Sequence, residues 1–330
     1  MKIALVHDDL VQWGGAERVL LGLCEIYPDA PIFTSVFDET NQELKKRFGK
    51  KKIITSFLQK IPGWKVLYKM MLPFYPIAFE QFDFIGFDLV ISHTTRFAKC
   101  IITKPGTTHI CYCHTPPRFL WHFSGYSSYG LGEILMTKLR IYDQVSAKRV
   151  DHFIAGSQNA RRRIKRVYGV SSKVVYPFID LERFKGVETY DGGYFVVMGR
   201  PNKYKRFDLV QRAGLDLKMI TGGLSEETVV NILAGCKALI IPGEEDFGLS
   251  ALEAQALGKP VIAFGKGGAL ETVTSKTGLF FEEQTVDCLL QAISKLQNTK
   301  IDPQDCRQNV AKYDKEIFKK NFQQAVASLV

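Results

Sequence analysis

The stretch Lys237 to Gly265, KALIIPGEEDFGLSALEAQALGKPVIAFG, decides how the chain is read. KALII is a short, continuously apolar run of the kind buried on both faces of a parallel sheet. Pro242 and Gly243 end it, Leu249 to Leu257 has helical spacing, Gly258 closes that helix, and Pro260 introduces the next strand. The loop Glu244 to Gly248 therefore lies at the carboxyl edge of a parallel sheet, where open α/β folds bind ligands. The amides of Phe247, Gly248 and Leu249 fall at a helix N-terminus, which favours an anion such as phosphate. Glu245 in the loop and Glu253 one turn into the helix frame that site, and their carboxylates are good acceptors for vicinal hydroxyls. A dipole partner is the structural alternative for a glutamate near a helix start.

The same rhythm runs through the chain. KIALVH (2–7), a loop to Gly14-Gly15 and the helical stripe Val19, Leu20, Leu23 and Ile26 make strand, turn and helix. PIFTSVF, FDLVISH, THICYCH and DHFIAGS continue as strands, and NARRRIKRVYG as a helix. KVVYPFID (173–180) predicts one more strand. From Tyr194 the pattern restarts with YFVVMGR, FDLVQRAG, LKMITGG and SEETVVNILAG. We expect an N-terminal Rossmann-like domain over 1–177, a second α/β domain over 178–314 and a C-terminal helix over 315–330.

Composition bounds the function. The 330 residues are 46% hydrophobic and 24% charged, ordinary globular values. Asp8 and Asp9 interrupt the apolar run a signal peptide needs, and Lys69, Pro73 and Pro76 break the longest apolar region, so a cytoplasmic protein is expected. Seven scattered cysteines fit a reducing compartment. Cys111 and Cys113 flank Tyr112 on one strand face, and no second pair at ligand spacing supports a metal site.

The net charge of +10 is concentrated rather than spread. Between Glu43 and Glu80 there is no acid, whereas Lys45, Lys46, Arg47, Lys50, Lys51, Lys52, Lys60, Lys65 and Lys69 are all basic. Phe57, Leu58, Ile61, Trp64, Val66, Leu67, Met70, Met71, Leu72 and Phe74 are interleaved with them. The mixture over residues 45–74 suits an anionic membrane surface, at roughly 1 kcal/mol per basic residue. A solvated basic loop followed by a core helix is the other reading. No helix-turn-helix, RNA-recognition or zinc pattern supports nucleic-acid binding.

With those residues in place, a resemblance becomes specific. The two glutamates with seven residues between them, the EDFGLSALEAQALG context and KPVIAFGKGGALETV resemble the donor-site signature of the family-4 retaining glycosyltransferases. Gly14-Gly15-Ala16-Glu17 is similar to that family's N-terminal glycine loop, and CYCHTPPRFLW (111–121) to its histidine motif. SQNARRRIKRVYG and VVYPFIDLERF resemble the stretch leading to its hinge. In GRPNKYKRFDL, Arg200 and Lys205 stand five apart, like the family's diphosphate-binding pair. The likeness runs in order over about nine tenths of the chain, and bacterial mannosyltransferases of O-antigen or exopolysaccharide synthesis are the most similar branch.

The resemblance implies a GT-B fold, two Rossmann-like domains facing each other across a cleft, with a C-terminal helix crossing back to the first domain. It implies transfer of a hexose, mannose favoured, from a nucleotide-diphosphate sugar, GDP favoured over UDP, to a lipid-linked or polysaccharide acceptor with retention of configuration. His114, Glu245, Arg200 and Lys205 would serve catalysis, and Gly14, Gly15, Phe247, Gly248, Leu249 and Glu253 the donor. Arg118 would serve an acceptor phosphate or close a salt bridge. Lys203 and Arg206 read as surface charges. No cofactor or metal is implied, since Asp8-Asp9 lacks the Asp-x-Asp spacing. The protein would be peripheral on the inner face of the cell membrane. A soluble transferase on a small acceptor, and a catalytically silent subunit needing a partner, are the alternatives. G-x-G-x-x-G is not matched at Gly14, which disfavours a dehydrogenase.

One departure stands out. QRAGLDLKMITGG passes directly into LSEETVVNILAG, so about one βα unit of the second domain is missing. Gly222 and Gly223 either replace the lost turn or belong to the neighbouring strand. The missing unit normally helps to build the base pocket.

Overall fold

A computed structural model describes residues 1–68, 70–123 and 132–330. Lys69, one of the basic residues singled out above, lies outside the described residues. The chain forms two compact units. The first comprises Met1–Phe123, the described residues up to Tyr176, and Lys319–Val330; the second runs from Pro177 to Phe318.

The first unit is built on seven strands: β1 (Ile3–His7), β2 (Ile32–Thr34), β3 (Ile53–Thr55), β4 (Leu89–Thr94), β5 (Thr108–Cys113), β6 (His152–Ala155) and β7 (Ser172–Val174). Their order is β3-β2-β1-β4-β5-β6-β7, and every pairing is parallel. β4 is buried along its whole length and β1 in four of five positions, and both begin as apolar runs, Leu89–Ile91 and Ile3–Val6, and end on buried polar residues, Ser92, His93 and Thr94 in β4 and His7 in β1. Helices cover the sheet. Gly15–Ile26 follows β1, and Gln158–Tyr168 is capped at Ser157, whose side chain accepts the Ala160 amide. The final helix, Lys315–Ala327, returns to this unit from Lys319 onward. There Phe322 packs edge-on against Tyr112 at 5.7 Å, and Lys319 reaches Glu25.

The second unit has β8 (Tyr194–Met198), β9 (Leu217–Ile220), β10 (Cys236–Ile241), β11 (Val261–Phe264) and β12 (Gly278–Phe281), in the order β12-β11-β10-β8-β9, all parallel. Renumbered from its own first strand this is 2-1-3-4-5, the flavodoxin-like order, whereas the first sheet begins in the Rossmann order 3-2-1-4-5-6. β9 is an edge of this sheet. Its core is one cluster including Val197, Leu209, Ile240, Ile262 and Leu289.

Three elements differ from the sequence reading. β3 lies inside the basic stretch, where charge masked a three-residue strand. β12 was hidden in TGLFFEE, too short for a periodic signal. The strand expected over 173–180 stops at Val174, as the backbone turns before Pro177; Val175 still donates to Ala155, but Ile179 pairs with Tyr313 instead.

Asp8, read as a break in an apolar run, organises the edge of the first sheet. Its buried carboxylate accepts from the Thr94 and Thr95 hydroxyls and from the amides of Thr95, Arg96, Phe97 and Ala98. Beside it Asp9 pairs with Arg96. Burial alone would raise the pKa of Asp8; the charges of Arg96 and His7 and the amides of Thr95 and Ala98 outweigh it and hold the carboxyl below its ordinary value.

A depressed folded-state pKa means stability present above the unfolded value, about 3.9, and lost as pH falls below it. Asp8→Asn should lose about 2–4 kcal/mol in urea denaturation at pH 7, because four amides then share a neutral acceptor. The variant should also show a shallower acid limb than the native chain; identical acid limbs would remove Asp8 from this role.

Candidate active site

In the second unit the loops after β8 and β10 meet. Lys205 ends a single turn, Lys203–Lys205, and its Nζ donates to Glu245 Oε1 at 2.5 Å; the side chains are 14% and 13% exposed. The approach depends on Gly243, where an added Cβ would lie 2.1 Å from the Tyr204 carbonyl and 2.8 Å from Lys205 Cα. The carbonyl of Glu245 in turn accepts the Gly268 amide, tying the loop to the one after β11. Gly248 starts the helix Leu249–Ala256 with φ at +100°, a left-handed conformation that a side chain would strain. The first amides of that helix have no acceptor within it, so they present partial positive charge beside the Lys205–Glu245 pair.

The other predicted residues of this unit divide. Arg200 is exposed on the loop of Lys205. Leu249 supplies the first residue of the helix, but the Phe247 side chain is buried against Tyr313, with ring centroids 5.4 Å apart, so only the backbone of Phe247 can serve a ligand. Glu253 is 5% exposed, and its Oε1 accepts from Arg183 Nη1 at 2.9 Å. Arg183, which also reaches Glu226, was passed over inside the connecting segment LERF; no spacing marked it. Arg206 pairs with Asp208, in keeping with a surface role, and with Lys203 and Phe207 it lines an open cleft of about 740 Å³. Gly222 and Gly223, both at positive φ, form the turn that leaves β9.

In the first unit His114 directly follows β5, at the carboxyl edge. Its Nε2 lies 2.6 Å from His93 Nε2, and His93 Nδ1 lies 2.9 Å from His7 Nδ1. His7 Nε2 is 3.8 Å from Glu17 Oε1, while the other Glu17 oxygen would lie 3.1 Å from a Cβ at Gly14. Gly14 and Gly15 thus begin a helix whose glutamate reaches back beneath the glycine loop. Burial pulls the pKa of His7 down, but the hydrogen bond and charge of Glu17, with Asp8 and Asp9, leave it above the ordinary value. Burial, then the charges of His114 and His7, push His93 well below. Arg118 opens the short helix Arg118–Trp121 and is buried. His7 and His93 were missed, although KIALVH, FDLVISH and THICYCH each close on a histidine. Parallel pairing puts those three ends side by side, His7 being the register partner of His93.

Comparison with known proteins identifies the family and the fold. Residues 13–183 match the model of Glycosyltransferase Family 4, and residues 149–313 that of Glycosyl transferases group 1. A GDP-mannose-dependent phosphatidylinositol monomannoside mannosyltransferase of Corynebacterium glutamicum is 40% identical over 83 residues, 23% of this chain and 22% of that protein. The alpha-1,3/1,6-mannosyltransferase ALG2 of Dictyostelium discoideum is 38% identical over 102 residues, 30% and 23% of the two chains. The matched stretches thus span under a quarter of these curated relatives.

Among solved structures, sucrose-phosphate synthase of Thermosynechococcus elongatus superposes with a TM-score of 0.75 at 15% identity, covering 100% of this chain and 99% of that one. HepE of Anabaena in complex with UDP-glucose gives 0.70 at 16%, covering 99% and 100%. The fold is GT-B, and the chain belongs to glycosyltransferase family 4.

Proposed function

We propose that the chain transfers a hexose, mannose favoured, from a nucleotide-diphosphate sugar, GDP favoured, to a lipid-linked or polysaccharide acceptor with retention of configuration. The observation that carries this reading is the Lys205–Glu245 pair held against the start of the helix Leu249–Ala256. Two cations, Arg200 and Lys205, together with the helix amides would neutralise the charge that grows on the departing nucleotide. Glu245, released from Lys205 when the diphosphate arrives, would orient the sugar hydroxyls, and Glu253 is fixed by Arg183 for a similar role. On this account the acceptor oxygen bonds to the anomeric carbon on the face the phosphate leaves. The carbon–phosphate-oxygen bond breaks, and the acceptor proton passes to that phosphate oxygen. No enzymic nucleophile or metal is needed, and His114 serves the transferred sugar. Support for the donor comes from the GDP-mannose dependence of the corynebacterial relative and from the UDP-glucose complex of HepE.

The acceptor reading draws on residues 45–74. Of the apolar residues there, Leu58, Trp64, Met71 and Leu72 are core, so the docking surface is smaller than the sequence suggested. Val66 (83% exposed), Met70 (72%), Phe74 and, beyond the stretch, Ile77 remain outside, with Phe57 and Leu67 partly so. Lys45, Lys46, Lys50, Lys52 and Lys60 are exposed, while Lys51 is held by the carbonyls of Cys24 and Pro28 and Lys65 by Asp38. Exposed large apolar groups among lysines suit an anionic lipid surface at the inner face of a cell membrane. No described helix is long and apolar enough to cross a membrane.

Two measurements test these readings. In thermal-shift titrations GDP-mannose or GDP should raise the melting temperature, and Lys205→Ala and Arg200→Ala should each weaken binding about ten- to a hundredfold, the scale of a charge-assisted hydrogen bond. NMR of the transferred anomeric centre then reads retention. No shift with any nucleotide would favour the silent-subunit alternative. In sedimentation with anionic vesicles the chain should bind at low salt and dissociate as salt shortens the screening length to about 8–10 Å, and the pair Val66→Glu with Met70→Glu should abolish binding. Absence of binding at low salt would favour a soluble acceptor.

A further inference from the structure

The mechanism proposed above uses His114 and leaves His7, His93 and Glu17 unemployed, yet these four groups form one continuous chain through the first unit. Glu17 Oε1 stands 3.8 Å from His7 Nε2, His7 Nδ1 2.9 Å from His93 Nδ1, and His93 Nε2 2.6 Å from His114 Nε2. His7 and His93 are buried and nearly parallel, their planes 20° apart. His93 stacks on Tyr112 at 9°, and His114 stands almost perpendicular to it at 85°. Both nitrogens of His93 and Nδ1 of His7 are therefore committed within the row, Nε2 of His7 faces the Glu17 carboxylate, and Nδ1 of His114 lies outside the row. Gly156 keeps space beside that nitrogen, since an added Cβ would lie 3.3 Å from it.

We propose that Glu17, His7 and His93 are positioning residues that couple the tautomer of His114 to the charge of His7, its Nδ1 being a hydrogen-bond donor when His7 is cationic and an acceptor when His7 is neutral.

Proton counting carries the inference. Each nitrogen–nitrogen contact needs one hydrogen and one lone pair. With His7 cationic, Nε2–H points to Glu17 and Nδ1–H to His93 Nδ1. Neutral His93 then has its hydrogen on Nε2 and donates to His114 Nε2, so the hydrogen of neutral His114 sits on Nδ1. If His7 loses its proton and keeps the bond to Glu17, every hydrogen in the row shifts, His114 donates from Nε2, and its Nδ1 becomes an acceptor. The groups facing this row are Glu17 from the first helix, Asp8 and Asp9 after β1, and Tyr112 from β5. Three carboxylates gather at the His7 end, which favours its cation, whereas His93 lies between two imidazoles and stays neutral. The carboxylates at its end raise the pKa of His7 above the ordinary value, so the donor state holds below that raised value and is lost as pH rises through it.

The value of this row to catalysis rests on His114 serving the transferred sugar, but its test needs neither nucleotide nor acceptor. Long-range nitrogen–proton NMR correlation on the full chain with labelled histidine, the six rings assigned by single His→Gln replacements, reads each tautomer directly. While His7 is protonated His114 should carry its proton on Nδ1, and alkaline titration of His7 should move it to Nε2. In His93→Phe, which keeps a ring on Tyr112 and removes both nitrogens, the single tautomer should be lost. Should that variant fail to fold, His7→Gln, which leaves the His93 ring in place, should abolish the alkaline switch. A native His114 whose tautomer does not follow the titration of His7, a single tautomer that survives in His93→Phe, or an alkaline switch that survives in His7→Gln, would overturn the proposal. Failure of nucleotide binding with the expected tautomers would overturn only the transferase reading.

Discussion

Parallel pairing is the constraint on which the rest of this structure depends. All twelve strands among the described residues pair parallel, so every loop that follows one of them leaves its sheet at the same edge. In the first unit this gathers Asp8, Thr94 to Ala98 and His114 within hydrogen-bonding reach of one another or of shared neighbours. In the second it gathers Lys205, Glu245 and Gly268. Residues far apart in sequence become neighbours without any long-range signal beyond the strand order itself.

An edge crowded with buried polar groups is costly unless each is satisfied. The first unit meets this with networks rather than isolated pairs. Asp8 accepts four amides and two hydroxyls, and Asp9 takes Arg96. Deeper in, buried Lys99 pairs with Asp143, whose other oxygen accepts from Trp121 Nε1 and the Tyr168 hydroxyl. These contacts hold rigid the scaffold on which His114 stands. The Lys205–Glu245 pair is different: both partners are partly exposed, and the loop that carries Glu245 leads into a helix N-terminus.

Much of this was legible in the sequence, for identifiable reasons. Short apolar runs such as Leu89–Ile91 in β4 and Ala238–Ile241 in β10 mark buried strands, and the Gly-Leu-Ser start at 248–250 marks a helix entry. Short strands at the sheet edges, β3 and β12, carry too few residues for a pattern. Side-chain assignments fared unevenly because a family motif fixes position and not direction. It located Phe247 but could not show its ring turned to Tyr313. It located Glu253 without Arg183, and His114 without the two histidines behind it. Those two could be found only by combining three strand ends with the order in which the strands pair.

In the second sheet β9 is an edge, and the loops after β8 and β10 carry the charged pair and lead into the helix start. On the proposed reading these loops bind a nucleoside diphosphate. Hydrogen–deuterium exchange of the full chain with and without GDP tests that claim most directly. The account predicts slowed exchange in residues 199–206 and 243–252 that disappears in Lys205→Ala. Unchanged exchange in both segments at saturating nucleotide, or protection confined to other parts of the chain, would contradict it.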